Sequence, residues 1–169
     1  VTSTAAFYTH PVFAPDGGSI LAVRAGNWAR LHSYMEYGNL REAELRRLPA
    51  AGGDGDVIAR GVMGGLPHFT REPGRVYLNF SDGLNSVALD GSGRTPLLAA
   101  QGPGWYFAEG PGSADDMRIS PDGRWALVQM AQQLHLVAIP TGKDKTVDLD
   151  HPGVAHRRLT DVGADFFAW

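Results

Sequence analysis

Six histidines, one adjacent pair of aspartates and a recurring Pro-Asp-Gly run carry the side chains with which this 169-residue chain could do chemistry. The histidines are His10, His32, His68, His135, His151 and His156. A hydrolytic metal centre at the end of a barrel strand needs a His-x-His pair, and none is present. His151 and His156 are separated by Pro152 and Gly153, which breaks any regular ligand face. These histidines read as surface or satisfied core residues, and neither a metal nor a cofactor is expected. Nucleophilic catalysis has no better footing, because there is no Gly-x-Ser-x-Gly elbow and the serines fall in turns or at strand ends. Gly102-Pro103-Gly104 and Gly110-Pro111-Gly112 punctuate loops and open no helix, so they are not phosphate cradles. Asp115-Asp116 has two readings, a cation ligand pair or a solvated, turn-capping pair, and the second is favoured.

Composition narrows the classes further. Hydrophobic residues make up 43% of the chain and charged residues 20%, which suffices for a packed core and is too apolar for a disordered chain. With 22 glycines and 11 prolines, many short strands joined by tight turns suit the sequence better than a helical bundle. The net charge of −3 argues against phosphate neutralisation, so nucleic acid is not an expected partner. No cysteine is present, which removes disulfides, thiol catalysis and zinc–thiolate sites. No apolar run reaches the length of a membrane span.

The elements that would position these residues follow a repeat. Phe13-Ala14-Pro15-Asp16-Gly17 returns as Ile119-Ser120-Pro121-Asp122-Gly123, with a worn copy at Phe69-Thr70-Arg71-Glu72-Pro73-Gly74. Phe13, Phe69, Ile119 and Trp169 are spaced by 56, 50 and 50 residues, a period that marks a repeat architecture. Proline presets a turn's first central φ, aspartate caps the backbone and glycine takes the left-handed position. Pro15, Asp16, Gly17, Pro121, Asp122 and Gly123 are therefore read as structural turns, and Phe13 and Ile119 as pointing into a core between repeats. In the middle unit, residues 67–70, 75–80, 85–89 and 94–98 read as four strands. The third unit repeats the pattern at 117–120, 124–130, 134–139 and a ragged stretch ending at 157–160. In the first unit, residues 11–14 and 19–24 are strands, and 43–49 is favoured as a strand over a short helix because Leu45 and Arg47 fit an alternating pattern. Four strands with three tight connections make one antiparallel blade.

The Phe-Ala-Pro-Asp-Gly and Ile-Ser-Pro-Asp-Gly turns, with Arg158-Leu159-Thr160 closing a unit, resemble the repeats of TolB-like β-propellers. Such propellers also occur in prolyl-oligopeptidase-like and tricorn-like peptidases. Residues 7–17, 120–127 and 158–169 are most similar to the propeller region of bacterial amidohydrolase-related proteins. The resemblance implies an all-β chain of about three four-stranded blades: about 3–62, 63–103 and 104–160, with residues 161–169 starting a fourth. Val1-Thr2 looks like the tail of an earlier blade, so a piece of a six-bladed or larger propeller is expected. In that setting first strands line the axis, which is where Asp115-Asp116 would sit. The implied role is non-catalytic: scaffolding, substrate access or docking beside a C-terminal hydrolase domain. A protein- or peptide-binding module of the cell envelope is the alternative, and a peptidase propeller a weaker one. Periplasmic or secreted bacterial localisation goes with the resemblance. Expected partners are the remaining blades and the C-terminal domain, a protein partner, or a second copy closing the ring. Trp28, Tyr34, Tyr37, Trp105, Tyr106 and Phe107 lie in loops at blade edges and offer either a recognition surface or packing against further blades.

Overall fold

In the computed structural model, residues 2–3, 5–26, 40–102, 112–151, 156–161, 163 and 167–169 are described, those at 40 and 41 by backbone alone. Among them the chain is all-β, without a helix, and so no helix is long and apolar enough to cross a membrane. The first antiparallel meander comprises β1 (Phe7–Phe13), β2 (Ser19–Ala25), β3 (Leu40–Pro49) and β4 (Asp56–His68). The second runs from β4 through β5 (Arg75–Phe80) and β6 (Gly83–Ala88) to β7 (Thr95–Gly102), against which the two-residue β8 (Gly112–Ser113) pairs. The third contains β9 (Asp116–Ile119), β10 (Trp125–Met130), β11 (Gln133–Ala138) and, on the far side of β11, β13 (His156–Arg158). The segment favoured as a strand over a helix is β3.

The Pro-Asp-Gly runs make the β1–β2 and β9–β10 turns. Gly17 and Gly123 have φ of 68° and 74°, the left-handed region that glycine enters without a Cβ penalty. Asp16 accepts the Gly18 N–H at 2.9 Å, and Asp122 accepts the Arg124 N–H at 3.1 Å and the Ser120 hydroxyl at 2.6 Å. Those donors hold the Asp122 carboxyl down at about 2. The worn copy turns at Gly74, with φ of 81°.

Two features depart from the sequence expectation. The boundary expected between residues 62 and 63 falls inside one thirteen-residue strand, β4, which pairs β3 with its first part and β5 with its last. Met63 faces Leu40 on one side and Phe80 on the other, so the hydrogen-bonded sheet continues from the first unit into the second. Nothing at that boundary ends a strand; Gly61 and Gly65, both at positive φ, bend it instead. The second departure is β12 (Thr146–Asp148), which lies parallel to β7. Its Val147 and the following Leu149 are buried, which anchors the stretch that the sequence left ragged.

Side chains alternate across β5 and so divide between two cores. Val76, Leu78 and Phe80 join Leu21, Val23, Leu45 and Met63 in one. Tyr77, with Leu84 and Leu98, joins Met117, Ile119, Val128 and Met130 in the other. The middle meander is thus packed on both faces, each fully buried aliphatic side chain contributing about 1.5–3 kcal/mol over its exposed state. Ile119 is in the second core as expected, but Phe13 is not in a core: it is 63% exposed. The physical reason is its place on β1, which has a strand neighbour on one side only.

Candidate functional site

The first strands converge on one polar cluster. His10 comes from β1, His68 from the end of β4, Asn79 from β5, and Asp116 and Arg118 from β9. A β-bulge in β1, where the register slips between Thr9 and Val12, puts His10 at φ 52°. Bulges re-aim side chains, and this one brings His10 within electrostatic reach of Asp116 and Arg118. Burial lowers the His10 pKa, with Arg118 adding to the effect and Asp116 opposing it.

Asp116 is the centre of the cluster. Its Oδ1 accepts from Asn79 Nδ2 at 3.1 Å and from the Met117 N–H at 2.8 Å, and its Oδ2 accepts from Arg118 Nε at 3.2 Å. Burial raises its pKa against the pull of Arg118 and the Met117 N–H. A cation ligand needs free lone pairs, whereas these oxygens face protein donors. Among the described residues no group of three or more His, Cys, Asp or Glu side chains is arranged around one metal position.

His68 is fixed as the neutral ring. Its Nδ1 lies 2.9 Å from the Leu66 carbonyl, and its Nε2 accepts the Ile119 N–H at 2.9 Å. A ring whose second nitrogen accepts a backbone N–H carries its proton on the first. Burial pushes its pKa down to about 4, helped by the Arg118 charge. Both nitrogens are therefore committed to structure, and His68 serves as a bridge between β4 and β9 rather than as a base. Arg118 donates to the Phe167 carbonyl and stacks over the Phe167 ring with its guanidinium carbon 4.6 Å from the centroid. Trp169 Nε1 in turn donates to the Arg118 carbonyl at 2.8 Å.

Of the residues singled out from sequence, His10, His68 and Asp116 join this cluster, while Asp16 and Asp122 lie in their turns; Asp115 is exposed as favoured, but Asp116 is largely buried rather than solvated, because its strand packs against β4 and β5. Trp28, Tyr34, Tyr37, Trp105, Tyr106, Phe107 and His32 lie outside the described residues. Arg118 and Asn79 were not anticipated. A signal for the site was nevertheless in the repeat: His10 and Asp116 both stand three residues before the unit's marker, at Phe13 and Ile119, and His68 and Arg118 stand one before it, at Phe69 and Ile119. No family model, curated protein or solved structure matches the chain.

Proposed function

We propose that the chain supplies three blades of a β-propeller and acts as a non-catalytic scaffold beside a hydrolase domain. One observation carries this reading. Contacts between successive units recur close to the sequence period: His68 to Ile119 and Arg118 to Trp169 each span 51 residues, and the Arg71 N–H donates to the Pro121 carbonyl fifty residues on. A lateral contact that repeats at the sequence period is what blades stacked around an axis produce. The middle meander buried on both faces fits the same arrangement, as does Phe13, exposed where a further blade would cover it. The polar cluster supports a structural role, since Asp116 and His68 spend their hydrogen-bonding capacity within the protein. The hydrolase setting rests on the sequence resemblance to amidohydrolase-related propellers.

The test has two arms. The 169-residue chain, supplied with zinc, is assayed against amide, ester and peptide substrates. No turnover above buffer is expected, and turnover abolished by Asp116→Asn overturns the reading. In the second arm the whole gene product is compared with a form lacking this segment. Retained hydrolysis with changed selectivity for substrate size supports the scaffold role; loss of the chemical step in an otherwise folded truncated form overturns it.

A further inference from the structure

A second pair of histidines lies in the third unit, and its hydrogen bonding is the reverse of that in the polar cluster. His135 on β11 is 4% exposed, and neither Nδ1 nor Nε2 has a hydrogen-bond partner. Its ring stands on the face of β11 that carries Val137 into the second core, opposite Val128 of β10. On the other side of β11, the register sets Arg158 of β13 opposite His135 and His156 opposite Val137. The His156 ring therefore meets the His135 ring diagonally, with centroids 5.8 Å apart and planes inclined by 52°.

Nothing around this ring welcomes a charge. A neutral imidazole here leaves one donor and one acceptor unpaired, and protonation would add a second unpaired donor and a charge in an apolar core. The groups that act on it electrostatically, His156 and Arg158, are both cationic when charged, and Arg158 also pairs with Asp161 at 2.9 Å. β10 brings no titratable side chain, and Asp116 and Arg118 of β9 alternate onto the opposite face. From β12, Asp148 is engaged by the His151 ring at 2.7 Å and coupled to His156. From the middle meander, Tyr77 enters this core with its hydroxyl bonded to Glu72. Burial lowers the His135 pKa below the ordinary 6.5, and His156 and Arg158 add to the effect.

The cover over His135 is slight. β13 has three residues and pairs on one side only. Beyond it, the Leu159 N–H donates to the Leu134 carbonyl at 2.7 Å, and the Leu134 N–H donates to Thr160 Oγ1 at 3.0 Å. Short edge segments open at far lower cost than core strands. Lifting β13 takes His156 and Arg158 off the ring and lets water reach it.

We propose that His135 is the trigger of an acid-released latch, in which β13 closes over the neutral ring and lifts from β11 when the ring takes a proton. The sign follows from linkage. The open form binds the proton first, so closure has its full stability above pH 6.5 and loses it as the pH falls. Below that point the ratio of open to closed rises about tenfold per pH unit. Release leaves the backbone groups of β11 unpaired along its outer edge.

Amide hydrogen exchange of the 169-residue chain tests the latch, read by NMR as protection relative to the intrinsic rate at each pH. Between pH 7.5 and 5.5 the Leu159 amide is expected to lose protection about tenfold, while remaining less protected than Leu78 of β5 at both values. His135→Leu, apolar and close in size, holds Leu159 protection level across the same range. His135→Gln, polar but not titratable, gives the same flat reading. His151→Ala changes an exposed ring and keeps the parent's response. The latch is overturned by Leu159 protection that does not fall in the parent, or by a fall that survives in either His135 variant. A fall that vanishes in His151→Ala also overturns it, because the surface pair with Asp148 would then be the trigger. So does Leu159 exchanging at the rate of Leu78, because opening would then be global.

Discussion

At the residue scale, the polar cluster depends on what is missing at position 65. A Cβ built on Gly65 would lie 2.4 Å from Asp116 Oδ1, and the φ there is +72°. Asp116 cannot swing aside cheaply, because Asn79, Met117 and Arg118 hold both its oxygens. Gly65→Ala is therefore expected to cost about 2–4 kcal/mol, part from the left-handed backbone and part from the clash. Thermal unfolding reads this directly, and adding Asp116→Ala should recover the clash component while leaving the backbone component. His68 supports a pH prediction with a definite sign. Its folded pKa, about 4, lies below the ordinary histidine value of 6.5, so the unfolded chain takes up the proton first. The stability tied to its neutrality is present above pH 6.5 and is lost as pH falls toward 4, by about 3 kcal/mol at most for this partly exposed ring. Asp116, with a raised pKa, acts in the opposite sense and gains stability on protonation. Chemical denaturation of His68→Gln against the parent isolates the histidine, since Gln can still accept the Ile119 N–H; the variant should show the flatter profile between pH 4 and 6.5.

At the element scale, the β10–β11 hairpin turns through Ala131 and Gln132, with φ of 48° and 63°. Two successive left-handed residues define a turn that asks for Asn-Gly, and here neither residue is suited to it. Gln132→Gly should raise stability by about 1 kcal/mol, read as a higher denaturant midpoint with an unchanged slope. A fall in the midpoint would mean that the Gln132 side chain contributes more than its backbone costs. The same local rules explain what was legible beforehand. Pro-Asp-Gly turns and alternating apolar residues are encoded within a few positions, so β5, β9, β10 and β11 could be placed from sequence to within a residue or two. The continuity of β4 could not, because a bend at Gly61 and Gly65 looks from sequence much like a boundary. The parallel pairing of β12 with β7 was hidden for another reason: it depends on Val147 and Leu149 reaching a core built by strands some fifty residues earlier. Asp116 was favoured as one of a solvated, turn-capping pair, and its place in a cluster was not legible, since Asn79 comes from a different unit and reaches it only through the stacking of meanders.

At the scale of the whole molecule, the middle meander has a core on each face, while the first carries a large exposed apolar side chain, Phe13. Ile119, its counterpart in the third unit, is 4% exposed because β4 and β5 pack against β9. The difference between 63% and 4% at equivalent repeat positions measures what a neighbouring meander provides. If three blades are half of a ring, a second copy can supply that neighbour through a twofold arrangement in which each copy's Phe13 meets the other's third unit, near Trp169, itself 50% exposed. Light scattering at rising concentration should then show a species of twice the 18.1 kDa chain mass. Phe13→Glu should abolish that species while leaving the isolated chain's stability within about 0.5 kcal/mol, as befits a solvent-exposed position. A well-folded parent that stays monomeric throughout the range rules out closure by self-association. If Phe13 is instead covered from within a longer chain, the same substitution in that longer chain should destabilise it by about 2 kcal/mol or more, because a charge would be buried where a phenyl ring had packed.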